Sequence, residues 1–80
     1  MPIELSIISA TSKKTLKVTW IEVNTPTGNL VIQEGHTPLI TLLSHNEPCI
    51  IQLLDGKQES FTTNGILTVE PSRAIIIQQV

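Results

Sequence analysis

The sequence has no tyrosine and only two aromatic side chains, Trp20 and Phe61, so it offers no row of ring faces on which nucleobases stack. Basic residues are scarce as well. Five Lys or Arg against seven Asp or Glu give a net charge of −2, which leaves no electrostatic footprint for a phosphate backbone, and nucleic acid is not expected as a ligand. The single cysteine, Cys49, has no internal disulfide partner and fits a reducing compartment. No apolar run exceeds Ala74-Ile75-Ile76-Ile77, far below the roughly 20 residues that span a bilayer, so no direct membrane insertion is expected. The opening residues Met1-Pro2-Ile3-Glu4 carry neither the basic nor the apolar region of a secretory signal.

What is present favours strands. The 80 residues, 8.8 kDa, make room for one small domain over residues 1–80. Isoleucine, valine and threonine fill 27 positions and alanine two, a balance that suits pleated, half-buried surfaces. No apolar stripe of helical period appears, while period-two runs recur between turn formers. Ile3, Leu5 and Ile7 alternate with Glu4 and Ser6, and further strands are predicted at Leu16 to Val23, Leu30 to Ile32, Leu39 to Leu43, Cys49 to Leu54, Gly65 to Val69 and Ala74 to Gln78. Asp55-Gly56 signals a two-residue hairpin, which would set Ile50 opposite Phe61. The expected class is all-β, a small antiparallel β-sandwich of about eight to ten strands.

One strand breaks its own alternation. Leu16, Val18 and Trp20 share one face, yet Ile21 and Val23 share the other. A bulge at Trp20-Ile21, or passage of the strand from one sheet to the other, reconciles the halves, because one inserted residue flips every later side chain.

Catalytic chemistry finds no home. His36 and His45 are nine residues apart on different predicted loops with no H-x-H or C-x-x-C companion, so they do not make a metal site. His45 and Cys49 lack an orienting third group, and Cys49 reads as a small apolar residue at the start of a strand. No glycine-rich phosphate cradle is present, and no cofactor or nucleotide is expected. In the loop Gln33 to Pro38, Gly35 and Pro38 bracket His36 and predict a defined, solvent-facing position. There it either caps a turn or touches a partner.

The stretch Gly28 to Leu43, GNLVIQEGHTPLITLL, resembles the epsilon subunit family of the rotary F-type ATP synthase, called delta in mitochondria. Asn64-Gly65-Ile66-Leu67-Thr68-Val69-Glu70-Pro71 is similar to that family's G-G-[IF]-L-x-V-x-P segment, and Ile7-Ile8-Ser9-Ala10, Val18 to Thr25 and Ala74 to Ile77 fit its outer strands. The resemblance implies a non-catalytic β-sandwich in the central stalk. It would dock the gamma subunit onto the c-ring and couple ion-driven rotation to ATP synthesis. It also implies a peripheral place on the cytoplasmic face of a bacterial inner membrane, or on the matrix or stromal side in an organelle. Asn29 and His36 would face the c-ring and nearby gamma, and Ser9 and Thr41 would lie toward gamma. The same pattern turns Ile21 inward and Trp20 outward, where Trp20 either lies flat on neighbouring strands or anchors a partner.

Three departures follow. Asn29 stands where the family often carries an acid, which removes a surface charge pair worth only about 0–1 kcal/mol. Asn64-Gly65 replaces paired glycines. The sequence ends at Val80, where family members continue into a helical hairpin, so the expectation is a β-sandwich domain with the C-terminal hairpin absent, either as a naturally short form or as a fragment of a longer subunit. The competing expectation is a free-standing β-sandwich adaptor derived from the same fold.

Overall fold

The computed structural model describes residues 2–78; Val80, where the sequence stops, lies outside them. Six strands account for the order of the fold: β1 (Ile3–Ile8), β2 (Lys13–Thr25), β3 (Gly28–Gln33), β4 (Leu39–Leu53), β5 (Gln58–Glu70) and β6 (Arg73–Gln78). The hydrogen-bonded order is β1-β6-β5-β4-β2-β3, and a further β1–β2 pairing closes it into a flattened barrel. The class is all-β, as composition implied, but the described residues form six strands rather than eight to ten. Leu39 to Leu43 and Cys49 to Leu54 are two halves of the single β4, and the strand after Asp55-Gly56 runs on through Gly65 to Glu70 as β5.

Nor is the arrangement wholly antiparallel. β1 runs parallel to β6, with Leu5 beside Ala74 and Ile7 beside Ile76. The first and last strands are joined by the whole chain rather than by a tight turn, so no hairpin constrains their relative direction.

The β4–β5 turn corrects the predicted register. Gly56 N–H donates to the Leu53 carbonyl at 2.9 Å and Leu53 N–H to the Lys57 carbonyl at 2.8 Å, with Gly56 at φ 91°. Three residues, Leu54 to Gly56, therefore form the loop, a turn ended by a left-handed glycine. The extra loop residue shifts the pairing by one, so Phe61 faces Cys49 and Ile50 faces Ser60.

Inward-facing side chains meet in one core of Ile3, Leu5, Val18, Ile21, Val23, Ile32, Leu43, Cys49, Ile51, Leu67, Val69, Ala74 and Ile76. Each buried Ile, Leu or Val contributes about 1.5–3 kcal/mol relative to exposure. The alternation predicts a bulge at Trp20-Ile21; the break in β2 falls just before that step, between Val18 and Trp20. Val18 faces Leu53, Trp20 faces Gln52, and Thr19 is the extra residue between them. Thr19 donates its hydroxyl to the Gln52 carbonyl at 3.2 Å. Beyond it Ile21, Val23 and Thr25 point inward.

Candidate interaction surfaces

The structure does not gather the five sequence-predicted contact residues into one site. Asn29 begins β3 opposite Asn24, and its side-chain amide donates to Glu22 Oε2 at 3.1 Å, to Asn24 Oδ1 at 3.2 Å and to the Val23 carbonyl at 3.4 Å. An amide that engaged with its own hairpin is a rigid surface feature rather than a free side chain. Thr41, on β4, shares with Asn29 a depression of about 220 Å³ floored by Leu30 and Leu39. These two, predicted toward different partners, are therefore neighbours.

His36 and Ser9 lie at opposite ends of the sandwich. The loop carrying His36 is tied to the β5–β6 turn by Gly35 N–H donating to the Pro71 carbonyl at 2.7 Å. His36 Nδ1 lies 2.7 Å from the Thr37 carbonyl, which makes Nδ1 the protonated nitrogen, since a carbonyl only accepts. The ring is half-buried rather than the fully solvent-facing group the bracketing glycine and proline predict. Folding back on its own backbone is what covers it. Ser9 closes the β1–β2 turn, with its N–H donating to the Ser12 carbonyl at 2.8 Å and its hydroxyl 2.8 Å from that of Ser12.

Trp20 lies half-buried on the outer face of β2, and its indole N–H donates to Gln52 Oε1 at 3.1 Å. Ile21 beside it is fully buried. The ring's position is thus set by the bulge that turns Ile21 inward. Cys49 faces the core, and burial pushes its thiol up to about 12, which disqualifies it as a nucleophile near neutrality. Among the described residues, three or more His, Cys, Asp or Glu side chains nowhere converge as metal ligands would, and no helix is long and apolar enough to cross a membrane.

An extended apolar surface is one the contact-residue reading passed over. Leu42 faces Ile66, Ile66 faces Ile77, and Ile77 faces Ile8, forming a row across β4, β5, β6 and β1. One pleat along, Ile40, Thr68 and Ile75 form a second row. Ile40 is 73% exposed, Leu42 61%, Ile77 52% and Ile66 41%. Beside them Pro26, Leu42, Leu43, Ile66 and Ile77 line a depression of about 670 Å³, with His45 at its rim. Scattered exposed apolar residues are ordinary, but a contiguous patch of them marks an interaction surface. The signal was in the sequence. Leu39-Ile40-Thr41-Leu42-Leu43 and Ala74-Ile75-Ile76-Ile77 are apolar at both alternating positions, which a strand with one watered face is not.

Gly65 holds this surface together. Its φ is +147°, and a side chain there would overlap the Ile77 carbonyl, so only glycine lets β5 and β6 approach. Asn64, in place of the first of the paired glycines, exchanges hydrogen bonds with Asn46: Asn46 N–H donates to Asn64 Oδ1 at 2.8 Å, and Asn64 Nδ2 to Asn46 Oδ1 at 3.3 Å.

Among known proteins, the chain is similar to the ATP synthase epsilon chain of Clostridium kluyveri, 36% identical over 50 residues. That match takes in 62% of this chain and 38% of the relative. In fold it is similar to a chain of the Euglena gracilis mitochondrial ATP synthase, with a TM-score of 0.88, 18% identity, and coverage of 96% of this chain and 50% of that one. A chain from the central stalk and c-ring of the Tetrahymena thermophila mitochondrial ATP synthase gives 0.80 at 16% identity, covering 100% of this chain and 65% of that one. Residues 2–80 match the family model described as ATP synthase, Delta/Epsilon chain, beta-sandwich domain, and with that match spanning its whole fold the chain belongs to this family.

Proposed function

We propose that the chain is a non-catalytic, peripheral rotor element of an ATP synthase, seated between the gamma subunit and the c-ring so that ion-driven rotation reaches ATP synthesis. Membership of the family supports the assembly, and the apolar face of Ile40, Leu42, Ile66 and Ile77 is the observation that carries the contact. An exposed patch of this kind needs a permanent cover, and a stalk partner that never leaves supplies one. In this reading Leu42 and Ile66 form the centre of the gamma contact with Ser9 at its margin, and Thr41, on the other face of β4, reaches gamma from the depression it shares with Asn29. Asn29 and His36 face the polar loops of the c-ring, and Trp20 adds an aromatic anchor beside them. In this reading the chain sits on the cytoplasmic face of a bacterial inner membrane, or on the matrix or stromal side in an organelle.

Copurification with gamma from cells expressing both tests this directly. Leu42→Glu buries a charge in the contact without touching the core and is expected to reduce recovery of the complex at least about tenfold, with the circular dichroism spectrum unchanged. Unaltered recovery in a folded Leu42→Glu chain would move the contact elsewhere. No complex with the unmodified chain would leave the free-standing adaptor as the better account.

A further inference from the structure

Asn64 is the one asparagine followed by glycine; Asn24, Asn29 and Asn46 precede Thr25, Leu30 and Glu47. The neighbour matters because a backbone nitrogen can attack the side-chain amide of the residue before it, and glycine has no β-carbon to stand in the way. The fold adds a restraint that the dipeptide alone lacks. Three residues of β4, Ser44 to Asn46, stand opposite Asn64, and the Asn64 amide is clamped to the last of them. Its Oδ1 accepts from Asn46 N–H at 2.8 Å, and its Nδ2 donates to Asn46 Oδ1 at 3.3 Å. On the main chain, Gly65 faces Leu43 on one side and Gln78 on the other.

An extended strand holds its side chains roughly perpendicular to the sheet, so closing a ring onto Gly65 needs rotation about the Asn64 backbone and side-chain torsions. That rotation breaks both bonds to Asn46. The clamp is a weak one, because Asn46 is exposed and Asn64 only half-buried. Solvated hydrogen bonds beside an unpaired stretch of strand belong to the low end of local stability, where a segment opens without global unfolding.

We propose that Asn64 is a site of spontaneous deamidation, gated by its clamp to Asn46. In the opened segment the Gly65 nitrogen forms a bond to Asn64 Cγ and gives up its proton. The Cγ–Nδ2 bond breaks, and the amide leaves with that proton as ammonia. Water then opens the cyclic imide at either carbonyl, giving aspartate on the normal chain or isoaspartate with the chain routed through the side chain. Asn64 lines the depression beside Leu42 and Ile66, so either product sets a carboxylate at the edge of the apolar face. Isoaspartate also lengthens the main chain just before Gly65, where β5 and β6 approach too closely for any side chain. The proposal is independent of the rotor reading, since neither its chemistry nor its test involves a partner.

The test follows the 80-residue chain at mildly alkaline pH by intact-mass measurement and peptide mapping. Conversion of amide to acid is expected at Asn64 ahead of Asn24, Asn29 and Asn46, and faster in urea than in buffer. Asp55-Gly56 can form the same kind of imide, but it loses and regains water with no net change in mass, so it does not confuse the reading. Asn46→Ala removes the acceptor of Asn64 Nδ2 and should raise the rate in buffer about fivefold, the factor that about 1 kcal/mol of lost hydrogen bonding adds to the open population. Asn46→Gly, which keeps the positive φ without the side chain, provides the same test if Asn46→Ala fails to fold. No conversion at Asn64 in urea, earlier conversion at another asparagine, equal rates in urea and buffer, or an unchanged rate in a folded Asn46 variant would each overturn the proposal.

Discussion

β2 and β4 each carry surplus residues against a neighbouring strand, one in the first and two in the second. In β2 the single residue Thr19 intervenes between Val18 and Trp20 where β4 has none between Leu53 and Gln52. In β4 three residues, Ser44 to Asn46, oppose the single Asn64 between the pairs Leu43–Gly65 and Glu47–Thr63. An odd insertion exchanges the faces of everything after it, and an even one restores them. Hence Val18 and Ile21 are both buried although they are three apart, while Leu43, Cys49 and Ile51 keep a common parity across the interruption. The first irregularity is a switch between faces. The second is a detour, held by the left-handed Asn46 at φ 59° and its exchange of hydrogen bonds with Asn64.

The sharpest test of that distinction is deletion. Removing Glu22, which faces Ile50 with no surplus residue beside it, should abolish cooperative unfolding and strand-like circular dichroism, because Val23 and Thr25 leave the core together. Removing Thr19, by contrast, leaves Val18, Trp20 and Ile21 facing Leu53, Gln52 and Ile51 in unbroken alternation and should leave a folded chain. Removing Ser44 and His45 as a pair preserves parity and should leave a folded chain. An unfolded Thr19 deletion would break the comparison outright.

Next in size is Gly65→Ala, just past the detour. With φ at +147° and the Ile77 carbonyl in the way, the substitution should cost more than about 3 kcal/mol in urea denaturation. A loss below about 1 kcal/mol would mean that β5 and β6 can separate there without penalty.

Cys49 reports on whether the parity of β4 is held. Its thiol titrates at 9.0 in an ordinary setting and at about 12 when buried here. The folded state therefore keeps a proton that the unfolded state releases. Its contribution is whole below pH 9.0 and is lost as pH rises toward about 12. Alkaline melting should show this decline in the native chain and a shallower one in Cys49→Ala. Rapid alkylation of the folded chain near neutral pH would place the thiol outside the core.

The smallest effect is expected at the detour itself. Asn64→Ala removes both hydrogen bonds to Asn46 from a partly solvated site, and about 1 kcal/mol of stability should go with them. A loss several times larger would make the detour a structural keystone rather than a tolerated excursion.

Legibility from sequence followed the same divide. The odd insertion at Thr19 was visible as a clash between Leu16-Val18-Trp20 and Ile21-Val23, because it leaves a scar in the alternation. The even one at Ser44 to Asn46 leaves none, and its polar residues read as a loop between two strands, which is why six strands were counted as more. The candidate contacts fared similarly. The segment Gly28 to Leu43 pointed to the family through local order of residues. That Asn29 and Thr41 share one depression while Ser9 and His36 stand at opposite ends depends on which strands pair.

By itself the sequence determined the all-β class, the inward positions of β1 and of the second half of β2, the existence of a break in β2 and the family, all of which rest on period-two patterning and short motifs within a few residues. Tertiary structure alone decided the rest: the parallel closure of β1 on β6, the one-residue shift that sets Phe61 against Cys49, and the assembly of Ile8, Leu42, Ile66 and Ile77 into one apolar row. Each of those joins residues far apart in the chain. Their register is chosen by burial of a shared core and by turn geometry, and neither leaves a mark in any single stretch of sequence.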